Sequence, residues 1–362
     1  MLRIITGSYE HNLLCVALDV KHDVFTPIFH FTPHTQSIRC LAWGKKVLAS
    51  GSNDEHIRLY DLVKRKELGT LIHHDGAILC LEFFKFKWLF SGSADGKICI
   101  WRTKDWEILA ELKGHKGPVV DMTIHKSGKI MLSVAEDRRL ILWNLMTARK
   151  AAVRVLPHSP RQVLFVPDTV SEYVVAYARS IDLFTSGGSV LRSWTLKSSI
   201  HKIDWYKSYL LVSCDDGSLN FFDINEKEAS KDEAKKTEKI SKVSNTKSLN
   251  IKEKPISEPN FILRGHAARV KDFSILNNYL ASVSTDGNIV VWDLEKREQL
   301  AVYNAGDRLN CVALVPDEVE HLQKKRALPV EESEPESEPE SEDERPKKRA
   351  KARKTKVTIT EG

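Results

Sequence analysis

No stretch of this 362-residue chain approaches the ~18 consecutive apolar residues of a membrane-spanning helix, and its opening, MLRIITGSYEHNLL, lacks the apolar core of a secretory signal. Secretion and membrane insertion are therefore not expected. Cysteine is sparse: Cys15, Cys40, Cys80, Cys99, Cys214 and Cys311 are scattered, with no C-x-x-C pair and no metal-ligand spacing. They predict reduced, buried thiols in an intracellular chain. Gly187-Gly188 is not followed by the G-x-x-x-x-G-K-[ST] that a phosphate loop requires, so it is a turn. His73-His74-Asp75 is compact, but no fourth ligand stands at a suitable spacing, so neither metal nor cofactor is expected.

What is present is ample apolar material, 42% of the residues, with charge unevenly placed. Residues 345 to 356, RPKKRAKARKTK, carry eight basic side chains and no acid, whereas 331 to 344, EESEPESEPESEDE, carry nine acids and no base. Removing the basic block from a net charge of +6 leaves −2 for the rest. A near-neutral body with a bipolar tail is predicted, which speaks against a nucleic-acid surface on the folded part. Lys347, Lys348, Arg349 and Lys351 fit a nuclear import signal, with Lys324-Lys325-Arg326 as an upstream arm, and the tract also suits non-specific RNA contact. Ser333, Ser337 and Ser341 each have an acid three residues on, as an acidophilic kinase would need. Residues 226 to 256, with nine Lys and no aromatic, are expected to form a disordered insertion, and 317 to 362 a disordered tail.

The chain repeats itself. SGSNDEHIRLYD (50 to 61), SGSADGKICIWR (91 to 102), SVAEDRRLILWN (133 to 144), VSCDDGSLNFFD (212 to 223) and SVSTDGNIVVWD (282 to 293) share one grammar: a small-residue strand, an Asp turn, and a strand ending in an aromatic. AYARSIDLFT (176 to 185) is a weaker copy without the Asp. Asp54, Asp95 and Asp137 are spaced by 41 and 42 residues, one supersecondary unit per period. This resembles the WD-repeat family, in which each unit is a four-stranded blade of a β-propeller. Gly114-His115 and Gly265-His266 supply its G-H dipeptide, and Trp292-Asp293 its W-D. The resemblance implies a structural tetrad of His, Ser, Asp and Trp in each blade. Three blades carry it whole: His74, Ser91, Asp95, Trp101; His115, Ser133, Asp137, Trp143; His266, Ser282, Asp286, Trp292. A fourth has His34, Ser50 and Asp54 with Tyr60 in place of Trp, and two blades lack most of the set.

Six copies close a ring poorly, and a seventh is found in the chain ends. ITGSYEHNLLCVAL (5 to 18) aligns with ASGSNDEHIRLYDL and places Glu10 at the Asp position, while RLNCVALV (308 to 315) supplies the missing first strand with Cys311 in register with Cys40 and Cys80. The expectation is an all-β, seven-bladed propeller over 1 to 316, its seventh blade built from 1 to 31 plus 308 to 315. With strands labelled a to d in each blade, the insertion interrupts a c-d connection and the tail follows strand a. Both then leave from one face. The other face, carrying Arg39, Lys116, Arg269 and Arg308, is the expected partner surface.

Recurrence of the Ser, His and Asp sets argues against catalysis, because an active site is needed once and a blade network once per blade. No enzyme is expected. LIHHDGAILCLEF (71 to 83), KGHKGPVVDMTIHKSGKIMLSVAEDRRLILWNL (113 to 145) and GHAARVKDF (265 to 273) further resemble the family of p21-activated-kinase-interacting protein 1 and Mak eleven. That resemblance implies a nucleolar scaffold for large ribosomal subunit assembly, a monomer within a larger particle, gripping pre-ribosomal assembly factors or ribosomal-like proteins. It also implies negative regulation of p21-activated kinase. The competing expectations are a cytoplasmic kinase-binding adaptor and a ubiquitin-ligase substrate receptor; no F-box-like helical segment precedes the blades.

Overall fold

The computed structural model describes residues 1 to 224 and 257 to 316, apart from 168 and 170. The insertion at 226 to 256 and the tail with its serines and its import signal lie outside the described residues. Twenty-eight strands and no helix make up the ordered elements among those described.

Blade one is β4 (Ile38–Gly44), β5 (Val47–Ser52), β6 (Ile57–Asp61) and β7 (Lys66–Leu71), and blade two is β8 (Ile78–Phe84), β9 (Trp88–Ser93), β10 (Lys97–Arg102) and β11 (Glu107–Lys113). Blade three is β12 (Val119–Ile124), β13 (Ile130–Ala135), β14 (Arg139–Asn144) and β15 (Arg149–Val155); blade four is β16 (Gln162–Phe165), β17 (Glu172–Ala176), β18 (Ser180–Thr185) and β19 (Val190–Thr195). Blade five is β20 (Ile200–Tyr206), β21 (Tyr209–Cys214), β22 (Ser218–Asp223) and β23 (Phe261–Arg264), and blade six β24 (Val270–Leu276), β25 (Tyr279–Ser284), β26 (Asn288–Asp293) and β27 (Glu298–Asn304). Blade seven joins the ends: β28 (Leu309–Pro316) pairs with β1 (Leu2–Ser8), followed by β2 (Leu13–Asp19) and β3 (Val24–Phe31). Each blade is one antiparallel sheet.

Burial explains why these segments settle as strands in this order. Seven apolar clusters each span one junction between neighbouring blades, so the second and third strands are covered on both faces and are mostly apolar or small. β9, WLFSGS, is buried from Leu89 onward, whereas the outer β15, RKAAVRV, is almost wholly exposed. Small residues let the blades approach. A Cβ added to Gly51 would lie 2.5 Å from Ile78 of the next blade and 2.8 Å from the Cys40 sulfur, and Gly7 and Gly92 meet Cys311 and Cys80 in the same way. The cysteine register thus has a packing cause: each thiol fills the slot over a glycine. Burial pushes the Cys40 thiol up to about 12 and the Cys99 thiol likewise, so both stay as inert S–H groups at neutral pH.

The connection from β22 to β23, where the insertion lies, and the end of β28 are on the face of the a-b and c-d turns. The d-a and b-c loops form the opposite face.

Closure generates a prediction. Deleting residues 1 to 20 removes β1 and β2 and uncovers two junctions at once, the one with blade six and the one with blade one. The truncated chain is expected to aggregate, and a soluble product with a single cooperative melting transition would show that closure is not required.

Candidate functional site

The recurring His comes from a d-a loop, the Ser from the middle of the second strand, the Asp from the b-c turn and the Trp from the third strand, so all four meet beneath the open face. In blade two His74 Nε2 lies 2.8 Å from Ser91 Oγ and its Nδ1 3.0 Å from Asp95, while Trp101 Nε1 donates to Ser91 Oγ at 2.9 Å. Blade three repeats this with Ser133 at 2.7 Å from His115 and 2.8 Å from Trp143, and Asp137 at 3.4 Å. In blade six His266 and Trp292 both reach Ser282 at 2.8 Å, but Asp286 stands 3.7 Å from His266, whose buried Nδ1 has no hydrogen-bond partner among the described residues. Asp286 serves instead the backbone N–H groups of Ala267 and Asn288. In blade one the Tyr60 hydroxyl takes the Trp role at 3.2 Å from Ser50.

The carboxylate holds the imidazole proton on Nδ1, leaving Nε2 to accept the serine O–H. That serine is wholly buried and already accepts an indole N–H, so it offers no nucleophile to a substrate. Burial keeps His34, His74, His115 and His266 below the ordinary histidine range, and so neutral. Burial opposes ionisation of Asp95, yet the Lys97 amide and His74 together hold its carboxyl below the usual range.

Blade seven replaces the set. Glu10 accepts the Arg308 backbone N–H at 3.1 Å, the job Asp95 does for Asp75, and its other oxygen takes Arg308 Nε at 2.9 Å. Asp307 sits at the His position and accepts from Asn12 Nδ2 at 2.7 Å. In blade four the buried Trp194 Nε1 and Tyr177 hydroxyl lack hydrogen-bond partners among the described residues.

Arg39, Lys116, Arg269 and Arg308 all lie on the d-a and b-c face and are exposed. They are not equivalent. Among the described residues Lys116 and Arg269 stand free on loops, Arg308 is spent on Glu10 and stacks 5.4 Å over Tyr9, and Arg39 turns to the mouth of the central channel.

The channel, about 390 Å³, is the feature that sequence reasoning missed. It is walled by the first strand of every blade, whose inward edge would otherwise present unpaired N–H groups. Side chains from the neighbouring blade supply acceptors: Asp121 for Val163 N–H at 3.0 Å, Gln162 for Ile203 at 2.7 Å, Asp272 for Val312 at 2.8 Å and Ser274 for Leu314 at 3.1 Å. Glu82 likewise bonds the Ile124 N–H. Burial, reinforced by the Asp121 charge, pushes Glu82 up to about 8, and burial raises Asp121 to about 7. Lys202 offsets this: burial opposes its charge, but Asp272, 2.5 Å away, and Asp204 hold the ammonium above its ordinary range. The available signal was an acid at an inward register in apolar runs such as VVDMTI and HKIDWY.

A closed ring of seven sheets, with tetrads beneath one face and a channel through it, defines a WD-repeat β-propeller. The WD domain, G-beta repeat model matches residues 25–61, 65–102, 106–144 and 257–293. Protein MAK11 of Saccharomyces cerevisiae is 38% identical over 90% of this chain and 86% of its own length. The p21-activated protein kinase-interacting protein 1 of Homo sapiens is 30% identical over 91% and 80%, and Shk1 kinase-binding protein 15 of Schizosaccharomyces pombe 27% over 88% and 85%. The chain belongs to the family of MAK11 and the p21-activated protein kinase-interacting proteins, WD-repeat interaction scaffolds.

Two predictions arise here. Asp95→Ala strands the His74 N–H and two backbone amides, and is expected to cost roughly 1–3 kcal/mol in urea unfolding. Asp286→Ala, with His266 already out of reach, is expected to cost less; equal costs would mean that the His–Asp bond adds nothing. For Glu82, the folded chain keeps a proton that the unfolded chain, with the ordinary value of 4.5, has released, so its contribution is present below that value and lost as pH rises toward about 8. Thermal midpoints should fall across this window. Glu82→Gln, which keeps an acceptor for Ile124, should flatten the fall, and an unchanged slope would remove Glu82 as its cause.

Proposed function

We propose that this chain is a non-enzymatic scaffold for nucleolar assembly of the large ribosomal subunit, gripping a protein partner on its open face. The observation that carries this reading is topological: the flanks of the insertion and the end of β28 are on one face, while Lys116, Arg269 and Arg39 stand exposed on the other. A face whose loops come from every blade suits a protein surface rather than a small substrate. Kinship with MAK11 supports the ribosomal setting, and the basic block at 345 to 356 supports entry into the nucleus and RNA contact there. Ser333, Ser337 and Ser341, once phosphorylated, would strengthen the acidic arm against the basic one.

The relatives named for kinase binding favour a second role, inhibition of a p21-activated kinase. Sedimentation of cell extract on a sucrose gradient separates the two. Charge reversal at Lys116 and Arg269 together should shift the protein out of large-subunit precursor fractions while its melting temperature is retained. Absence of the wild-type chain from those fractions, with a kinase in its pull-down, would replace the assembly role by the kinase one.

A further inference from the structure

The first strand of nearly every blade carries a register shift at its open-face end, so one residue per blade has no partner across the sheet. These residues are Arg39, Leu79, Val120, His201, Lys271 and Asn310. In blade four Arg161, next to Gln162 and its partner Ala176, takes the matching place. A β-bulge re-aims its extra side chain, and here all seven line the channel. Taken in blade order, Arg161, His201, Lys271, Asn310 and Arg39 form one continuous arc of hydrogen-bond donors. Leu79 and Val120 close the ring as an apolar step. No acid belongs to this tier.

Some of the donors are committed. Asn310 donates to the Ile38 carbonyl at 2.6 Å, His201 meets Asp215 at 2.6 Å, and Arg161 gives one N–H to the Ile200 carbonyl. Among the described residues, however, none of Arg39, Arg161 and Lys271 forms an ion pair. Lys271 has only the Tyr9 ring, 6.0 Å from its ammonium. Asp272, next to Lys271 in the chain and in the tier below, is already spent on Lys202 and on the Val312 amide. Three unpaired cations thus overhang one concave mouth, an arrangement that draws in negative charge.

We propose that the channel mouth is the anchoring subsite of the open face: it receives one acidic side chain of the docked protein, with Arg39, Arg161 and Lys271 as its charged ligands and Leu79 and Val120 seating an aliphatic neighbour. This rests on the reading that a protein docks on this face. A single carboxylate fits better than a nucleic-acid backbone. Exposed Glu55, Asp75, Glu136, Asp215 and Asp216 dot the same face and would repel a polyanion laid across it. The tier beneath carries Asp121 and Asp272, so an entering acid is held shallow.

The test is selection of a displayed library of random ten-residue peptides on the full-length chain, with affinities of the enriched peptides read by fluorescence anisotropy. The expected result is enrichment of Asp or Glu at one position beside a Leu, Ile or Val. Arg39→Gln with Lys271→Gln, neither of which makes a hydrogen bond within the ring, should weaken those peptides by about tenfold or more, while Lys64→Gln with Lys104→Gln, in the c-d turns of the opposite face, should leave them nearly unchanged. A melting temperature equal to wild type certifies the folded ring in both variants. Enriched peptides that lack an acid, or that ignore the Arg39 and Lys271 changes, would overturn the subsite. A single-stranded RNA twelve-mer that displaces the acidic peptides at lower concentration would overturn the choice of protein as occupant. Recruitment to precursor particles, measured in parallel, keeps the two ideas separable: loss with Lys116 and Arg269 alone retains the docking face and rejects the mouth.

Discussion

Everything in this molecule depends on the pairing of β28 with β1. A blade buries apolar surface on both faces only if it has a neighbour on each side, and a row of blades always leaves two faces uncovered. The hydrogen bonds between residues 2 to 8 and 309 to 316 turn the row into a ring. They also tether the two ends of the fold, so that seven junctions share one cooperative structure. The tetrads are subordinate to this closure. Blade seven does without one, using Glu10, Asp307 and Asn12, and still holds the ring shut.

Closure solves the problem of exposed sheet edges and creates a narrower one. Seven first strands turn their free edges to the centre, where there is room for water but little for backbone. The chain answers with side chains that reach from one blade to the next: Asp121, Gln162 and Asp272 stand at equivalent registers and each takes the amide of the following blade. Where the second strand has glycine at that register, the first strand carries a cysteine that packs down onto it; where it has Val134, Ala176, Ser213 or Val283, the first strand carries Asp121, Gln162, Lys202 or Asp272. One position therefore switches between packing and polarity according to whether a Cβ occupies the slot opposite. The weakened acidity of Asp121, and of Glu82 two residues beyond Cys80 on its own first strand, has the same origin, because carboxylates that cap amides end up together in a confined space.

The repeat was legible because its signals are local. An Asp two residues before a backbone N–H in a tight turn, or a Gly under a Cys, is fixed by short-range geometry and recurs at one period. Even blade seven could be assembled from both ends, since Cys311 kept its register with Cys40 and Cys80. The tetrad distances were not legible: nothing in the string separates Asp95, which reaches its histidine, from Asp286, which does not. Arg308 looked like a free rim cation, but Glu10 is one methylene longer than the Asp it replaces and captures it. The channel escaped for another reason. Its lining draws one to four residues from each of seven blades scattered over almost three hundred positions, and each group alone looks like an ordinary stretch of first strand.

That contrast bears on how such a ring acquires specificity. The second and third strands are constrained on both faces, so they keep mostly small and apolar residues, and the outer strand faces solvent apart from single buried residues such as Leu71, Leu112 and Leu263. The position at the head of the first strand lies outside the ladder and belongs to no apolar junction, although Asn310 and Arg161 each bond a carbonyl of the next blade. It is occupied here by Arg, Leu, Val, Arg, His, Lys and Asn in turn, a sequence that no packing rule dictates. Side chains left out of the ladder yet fixed in direction by it are preorganised for contact at little conformational cost. The scaffold thus holds seven adjustable groups in a ring around one opening, and their order sets the charge that the opening presents.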